Sequence, residues 1–279
     1  MLRELVSNNV FVFTSELYAQ VTAGGILTSD GAIVIDTLAF PSETRQIMQF
    51  IEQRHEKKVR YVVNTHYHAD HTYGTCFFDD AIVISHRSCR DLLDTRGRTA
   101  LENAHRSSHE MQAISLRLPD VVFQEQCLNI HLGGITVRMW HTPGHSPDSS
   151  VCLIEEEGIL FAADLMTPVP FFADGNWYDF VRSLESIRNE PYESIIQGHG
   201  EVILRGEVQS RIDDDLSYLH AIRKRVEAVI NSRRGPEALD AIDIEDCGKS
   251  RIALNGLVQQ LHRSNLAALY WMLLAERGG

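Results

Sequence analysis

Four side chains of metal-ligating type crowd into six consecutive positions of this chain. They are His66, His68, Asp70 and His71, and they come directly after the apolar run 59–63. Imidazoles at alternate positions of an extended segment point the same way, while the Asp and His that follow can reach a second centre nearby. Without a cation, such a buried cluster would leave several polar groups unpaired at a high free-energy cost. The spacing therefore predicts two cations close together.

Three more ligand candidates each follow a strand-like apolar run, namely His145, Asp164 and His199. A lone His or Asp at a strand end is more often a cap or a core residue. These three are candidate ligands mainly because the first cluster is present in the same chain. Ligands placed on loops at strand ends can converge at one edge of a sheet, where rigid scaffolds usually present function. The chain therefore offers seven candidate ligands.

Composition is that of a globular protein with a large core, because 44% of the 279 residues are hydrophobic. The net charge of −12 disfavours a nucleic-acid partner, since such binding depends on Lys and Arg at phosphates. Five scattered cysteines without a Cys-x-x-Cys pair are typical of reduced thiols. The first residues do not resemble a signal peptide, and no apolar stretch approaches the roughly 18 residues of a membrane span. We expect a cytoplasmic protein with a small-molecule substrate and no nucleic-acid or membrane partner.

Alternating strand and helix patterns must position these candidates. The runs 21–27 and 32–35, joined by Ser29, Asp30 and Gly31, predict a β-hairpin. Pro41 predicts the start of a helix that extends to about Arg54, because proline suits a first helical turn. A helix is also predicted from His86 to about Leu93, and the polar stretch 94–116 is interpreted as helix and loop beside the site. Further strands are predicted at the runs 61–63, 82–84, 127–132, 135–140, 151–154, 159–161 and 194–196.

The pattern changes to helical period from Val208 onward, which predicts a helical extension over residues 206–279. One helix would carry the apolar stripe that begins at Val208 and Ile212. A second helix would carry Leu254, Leu257, Val258, Leu261, Leu269 and Leu273. These stripes favour packing into the core of the same chain. Packing against a second copy, as a homodimer through the C-terminal helices, is the alternative.

The order His-x-His-x-Asp-His, then His, then Asp, then Gly-His resembles the metallo-β-lactamase superfamily of binuclear hydrolases, over residues 5 to 205. The resemblance implies an α/β fold, a four-layer αβ/βα sandwich of two mixed sheets. The catalytic domain would be residues 1–205 and the C-terminal helical extension 206–279. Asp36 matches an Asp that orients the histidine loop in this superfamily. Two metal groups with a bridging carboxylate are implied: His66, His68 and His145 for the first metal, Asp70, His71 and His199 for the second, and Asp164 between them.

The expected activity is hydrolysis of a small ester, thioester or lactone by a hydroxide that bridges two metal ions. Two Zn²⁺ ions are the expected cofactors, although iron or manganese would accept the same ligands. Asp70 is the expected catalytic residue, because it could orient the bridging water and move a proton. The aromatic and proline-rich segment 165–180 follows Asp164 and is predicted to wall the pocket, which implies a substrate with an apolar portion.

Other activities remain open on the same residues. A mononuclear iron sulfur dioxygenase needs only two His and one carboxylate. β-Lactamase activity ranks lower because true β-lactamases of the superfamily generally lack the bridging Asp, and Asp164 is present here. Phosphodiesterase activity also ranks lower, since nucleic-acid branches usually carry an inserted domain that the short stretch between Asp164 and His199 does not contain. A metal-stabilised scaffold without activity is the alternative outside enzymes.

Overall fold

Two mixed β-sheets lie at the centre of the computed structural model, which describes residues 1–278. The first sheet has seven strands in sequential order, antiparallel from the first to the fourth and parallel from the fourth to the seventh. The hairpin around Ser29, Asp30 and Gly31 is confirmed. The strands of this sheet are β1 Leu2–Leu5, β2 Val10–Thr14, β3 Thr22–Thr28, β4 Gly31–Ile35, β5 Val59–Asn64, β6 Ile82–His86 and β7 Val121–Phe123.

The second sheet has six strands, of which one neighbouring pair is parallel and the others are antiparallel. The parallel pair joins the strands that precede Asp164 and His199. Its strands are β8 Cys127–Leu132, β9 Ile135–His141, β10 Ser150–Ile154, β11 Ile159–Ala163, β12 Ser194–Gln197 and β13 Val202–Leu204. All seven strands predicted from apolar runs outside the hairpin are present, whereas no pattern predicted β1, β2, β7 and β13.

Within residues 1–278, seven α-helices connect and cover the sheets. Two of them are extended by π-helical segments, Gln49–Arg54 after the first helix and Leu93–Gly97 between the third and fourth. The predicted helix from Pro41 to Arg54 is therefore present, with a change of winding at Gln49. The helices are α1 Pro41–Met48, α2 Ala69–Thr72, α3 Arg87–Leu92, α4 Arg98–Ser107, α5 Trp177–Ile187, α6 Val208–Asn231 and α7 Val258–Gly278.

Three buried clusters define four layers. The central cluster joins the facing sides of the two sheets and includes Ile33 and Val63 of the first and Met139 and Phe161 of the second. A second cluster packs α1 and the π segment after it onto the outer face of the first sheet. The third packs α5, α6 and α7 onto the outer face of the second. The predicted αβ/βα sandwich with a C-terminal helical extension is confirmed.

The C-terminal helices bury their apolar stripes within the same chain, where Ile212, Leu219 and Leu269 have no exposed surface. One detail of the prediction is wrong, because Leu254 and Leu257 lie before α7 rather than on it. Leu254 has a left-handed backbone, with φ of 48°, which an α-helix does not accept. The boundary between residues 205 and 206 stays a prediction. Within residues 1–278, no helix combines the length and the apolar character needed to cross a bilayer.

Candidate metal centre

The candidate ligands lie where strands end at one edge of the two facing sheets. β5 ends at Asn64, just before His66, while β11 and β12 end just before Asp164 and His199. Parallel neighbours end at the same edge of a sheet, so the last two residues are brought together by the β11 and β12 pairing. His199 also forms a β-bridge with Val21, which joins this edge to the first sheet.

A first group of ligand atoms comes from His66, His68, His145 and Asp164, whose candidate atoms all lie within 4.8 Å of one another. His68 Nδ1 is 3.1 Å from His66 Nε2 and 2.9 Å from His145 Nε2. The Oδ2 atom of Asp164 is 3.2 Å from His145 Nε2. These distances suit a single ion shared by the three imidazoles and the carboxylate.

A second group lies beside the first and consists of Asp70, His71 and His199. The Oδ2 atom of Asp70 is 3.4 Å from His199 Nε2. Asp164 approaches this group as well, because its Oδ1 is 3.2 Å from His71 Nε2 and its Oδ2 is 3.5 Å from His199 Nε2. Asp164 therefore lies between the two groups. The structure brings all seven predicted side chains together, and their role as ligands is taken up below as a proposal.

Asp36 supports the histidine loop as the resemblance implied. Its carboxylate accepts hydrogen bonds from Thr65 N at 2.9 Å, from Thr65 Oγ1 at 2.7 Å and from His71 Nδ1 at 2.8 Å. Because the Thr65 hydroxyl donates to Asp36, it accepts from His66 Nδ1, 3.0 Å away. Asp36 thus orients His71 directly and His66 through one hydroxyl. Its backbone is left-handed, with φ of 57°, in a buried position just after β4.

Each of the five imidazoles has one ring nitrogen engaged outside the cluster, which leaves the other nitrogen facing it. The acceptors for His68, His145 and His199 are Asp174 Oδ2 at 3.2 Å, Phe171 O at 2.7 Å and Ala19 O at 2.9 Å. This arrangement is typical of metal-binding histidines, whose second nitrogen is held by a carboxylate or a carbonyl. In addition, His71 Nε2 and Asp164 Oδ1 are buried 3.2 Å apart, and neither forms a hydrogen bond of good geometry with the other or with a third group. The residues therefore fit divalent metal ions, and imidazole with carboxylate suits zinc, iron and manganese alike.

The sequence profile of the metallo-β-lactamase superfamily matches residues 19–199, the stretch that contains all seven clustered side chains. This chain belongs to the metallo-β-lactamase superfamily. The matched stretch carries a cluster of His and Asp side chains that could hold divalent metal ions.

Named relatives in the superfamily are distant. The chain is 23% identical to a β-lactamase-like protein 2 homolog of Caenorhabditis elegans over 67% of this chain and 56% of that protein. It is 28% identical to an atrochrysone carboxyl ACP thioesterase of Aspergillus fumigatus over 65% of this chain and 51% of that protein. The chain thus spans about half the length of these curated relatives. A metallo-β-lactamase family protein from Thermus thermophilus has the same fold, with a TM-score of 0.72, 16% identity, and coverage of 98% of this chain and 95% of that one.

Three supporting contacts in this superfamily member were not found from the sequence. The carbonyl oxygens of Ala19 and Phe171 carry no signature, because every residue has one. Asp174 lies in an irregular loop, and its carboxylate also accepts from Tyr67 Oη at 2.6 Å and Arg96 Nη1 at 2.9 Å. The only signal that the sequence offered for Asp174 was its position ten places after Asp164.

The histidines of the two groups differ in the direction of their pKa shifts. Burial lowers the pKa of His145 to about 4, and burial with the neighbouring His71 holds the pKa of His66 well below its usual value. Burial also opposes the charged form of His199, but the Asp164 carboxylate outweighs it and raises the pKa of His199 to about 10. Burial opposes the charged form of His71 too, but Asp164 and Asp36 outweigh it and raise the pKa well above its usual value. In the metal-free protein, these shifts favour neutral imidazoles at His66 and His145 and protonated imidazoles at His71 and His199.

A cavity of about 390 Å³ opens onto both groups. Asp70, whose side chain is 18% exposed, lines it together with His68, His145 and His199. The predicted pocket wall over residues 165–180 contributes only Thr167 and Phe171. Trp177 of that segment is buried instead and donates from Nε1 to Leu219 O at 3.1 Å. The C-terminal extension, which the sequence assigned to the core, supplies Leu254, Leu257 and Leu261 to the cavity.

Proposed function

We propose that this protein is a metal-dependent hydrolase that cleaves a small ester, thioester or lactone. The observation that carries the proposal is the position of Asp164 between the two groups. Its Oδ1 is 3.2 Å from His71 Nε2 of the second group, and its Oδ2 is 3.2 Å from His145 Nε2 of the first and 3.5 Å from His199 Nε2 of the second. A carboxylate between two complete groups supports a binuclear centre over a mononuclear iron site, which needs only three protein ligands. Thioesterase is also part of the names of three relatives that match this chain.

The proposed first metal site comprises His66, His68 and His145, and the proposed second comprises Asp70, His71 and His199, with Asp164 shared. Zinc is the proposed metal. Divalent ions bound in this way supply Lewis-acid polarisation of a carbonyl and lower the pKa of water. The chain itself contributes rigid placement, because every imidazole is held by a second hydrogen bond.

Asp70 is the proposed catalytic residue. It is the most exposed carboxylate of the cluster, with 18% of its side chain accessible against 7% for Asp164, and it lines the cavity. Burial would raise its pKa, but His71 and His199 hold it below the usual range, so the group stays an anion. An anionic carboxylate at the cavity wall can accept a proton from an attacking water and deliver it to the leaving group.

The experiment compares nitrophenyl esters, thioesters, lactones, a β-lactam and a phosphodiester after defined zinc loading. We expect one ester-like class to exceed the β-lactam and the phosphodiester by about a hundredfold in kcat/KM, which corresponds to about 2.7 kcal/mol. Asp70→Asn should abolish most of that activity. Asp80→Asn is a matched control, because Asp80 is exposed and pairs only with Lys58.

Metal analysis tests the binuclear site separately. About two equivalents of zinc per chain, with no oxygen uptake on a glutathione persulfide, would support the hydrolase. One equivalent of iron per chain together with oxygen consumption would contradict the hydrolase and support the sulfur dioxygenase instead.

Location and assembly belong to the same proposal. The five cysteines are free in the structure, in keeping with a reducing compartment, and we propose the cytoplasm. A homodimer through the C-terminal helices is proposed only for the outer face of α7, where Trp271 is 59% exposed. Sedimentation of wild type and Trp271→Ala would test it.

A further inference from the structure

A left-handed turn lies in the C-terminal extension, directly before α7. Leu254, Asn255 and Gly256 have φ of 48°, 55° and 88° in succession. Left-handed backbone is unfavourable for side chains other than glycine, and such outliers persist where the surrounding structure enforces them, often at ligand sites. The turn places Leu254 and Leu257 on the wall of the cavity beside the metal centre.

The π-helical segment Leu93–Gly97 between α3 and α4 lines the same cavity. Single π turns within helices are rare and occur frequently at functional sites. Leu93 and Gly97 of this segment face the cavity, and Ala100 follows on α4. Two irregular backbone segments, from distant parts of the chain, therefore shape one pocket.

The lining away from the metal centre is mostly apolar. Its apolar side chains are Leu93, Ala100, Leu116, Leu254, Leu257 and Leu261, with Phe171 beside His145, and polar atoms are added by Tyr18, Tyr67, Thr72, Tyr73, Arg96 and Thr167. Pockets of a few hundred Å³ with apolar walls and a few convergent polar groups are typical of small-molecule sites. Here the polar groups include those of the candidate centre, so an apolar group and a reacting carbonyl can occupy the cavity together.

The acyl group and the leaving group of an ester-like substrate can differ in charge, and the charges of the cavity wall decide which of them fits. Among the described residues that line the cavity, Arg96 is the one Lys or Arg, and its guanidinium is paired with Asp174 at 2.9 Å. An anionic leaving group, such as a phosphate-bearing carrier thiol, would find no unpaired cationic side chain among the described residues of the cavity wall. The uncharged acyl group is the part of the substrate that matches the walls.

We propose that this cavity is an acyl pocket, built from the left-handed turn before α7 and the π-helical segment after α3. It selects esters or thioesters whose acyl group is apolar and of limited length, and it leaves the thiol or alcohol carrier outside. The inference rests on the proposed hydrolase function, and it names the substrate class of that site.

The first test uses two series of esters on the zinc-loaded full chain. In one series the acyl group grows from acetyl to dodecanoyl on a fixed nitrophenol, and in the other the acyl group stays acetyl while the alcohol grows. We expect kcat/KM to rise by about fourfold per methylene in the acyl series and then to fall once the cavity is filled. The alcohol series should stay nearly flat. Length dependence in the alcohol series alone would overturn the assignment to the acyl group.

Substitutions in the pocket should move the optimum. Ala100→Phe adds bulk from an exposed position on α4 and should shift the optimum to a shorter acyl group, with about tenfold loss or more for the longest ones. Thr99→Phe places the same side chain on the same helix but outside the cavity, and it should leave the profile unchanged. Leu257→Ala should favour longer acyl groups, with the exposed Ile252→Ala as its control. If kcat/KM depended on acyl length in the same way for Ala100→Phe and Thr99→Phe, the assignment of the cavity as an acyl pocket would be wrong.

A binding measurement separates this inference from the proposed function. Calorimetry with butanoate, hexanoate, octanoate and decanoate reports the pocket without any turnover. If no ester is hydrolysed but affinity rises with chain length and Ala100→Phe removes the rise, the function fails and the pocket stands. If esters are hydrolysed at rates independent of acyl length and the four carboxylates bind equally, the function stands and the acyl pocket is wrong.

Discussion

Asn265 of α7 and His145 of the candidate metal centre are connected through one short backbone segment. The Asn265 side chain donates to Pro170 O at 2.6 Å and accepts from Phe172 N at 3.0 Å. Between these two positions, Phe171 O accepts from His145 Nδ1 at 2.7 Å. A fully buried amide in the C-terminal extension thus holds the carbonyl that orients a proposed ligand.

Asn265→Leu should weaken metal binding and reduce stability together. The change leaves the buried polar groups at residues 170 and 172 unpaired, at a cost of about 1–3 kcal/mol for each, and it also removes a 3.3 Å hydrogen bond from Asn265 to Tyr218 Oη. Loss of an orienting partner typically reduces metal affinity by about 10- to 100-fold. Chelator competition and denaturant unfolding of the metal-free protein measure the two effects. Asn231→Leu, at an exposed site, is the control; unchanged affinity in Asn265→Leu would disprove the connection.

Asp36→Asn should impair both metal groups at once, because Asp36 orients His71 directly and His66 through Thr65. The amide offers only one acceptor oxygen where the carboxylate accepts three hydrogen bonds. We expect about tenfold or greater loss of affinity for each metal equivalent. Metal titration followed by chelator competition would show it, and a loss confined to one equivalent would contradict the shared role.

Asp174 should matter more to the metal centre than Arg96 does. Asp174→Ala removes the acceptor for His68 Nε2, and we expect about tenfold weaker metal binding. Arg96→Gln removes only an ion pair whose guanidinium is 54% exposed, and such pairs contribute little. We expect its metal affinity to stay within about threefold of the wild type. Equal losses in the two variants would show that the ion pair, rather than the His68 contact, positions the site.

Metal stoichiometry should depend on pH. His145, with a pKa of about 4, is neutral at pH 6, as is His66, whose pKa is also lowered. His199, with a pKa of about 10, and His71, with a raised pKa, carry protons there and must lose them to bind metal. The first group should therefore retain its ion at pH 6 while the second loses affinity, and the second should recover as the pH rises.

Calorimetry in two buffers of different ionisation enthalpy measures this directly. Zinc binding at pH 7.5 should release protons mainly with the second equivalent. Proton release that is equal for both equivalents, or that accompanies only the first, would contradict the division between the groups.

The sequence patterns predicted much of the sandwich because each strand carries its own apolar run and its own turn chemistry. The exposed edge strand β1 and the short strands β7 and β13 escaped, since a strand of three or four residues has too little pattern to stand out. Leu254 and Leu257 were placed on a helix because their spacing fits helical period, while the left-handed turn depends on packing that spacing does not express.

For the candidate site, residue identities and order along the chain were enough to name seven side chains that the fold brings together, because the His-x-His-x-Asp-His cluster is local. The groups that form hydrogen bonds to these side chains and orient them could not be predicted from the sequence. Ala19 O, Phe171 O, Asp174 and Asn265 act through contacts between segments far apart in the chain, and two of them are backbone atoms. The same holds for the apolar cavity. Some leucines line the cavity and others fill the core. Which of the two holds for a given leucine depends on how α7 and α4 are placed around the cavity, and no local sequence pattern determines that placement.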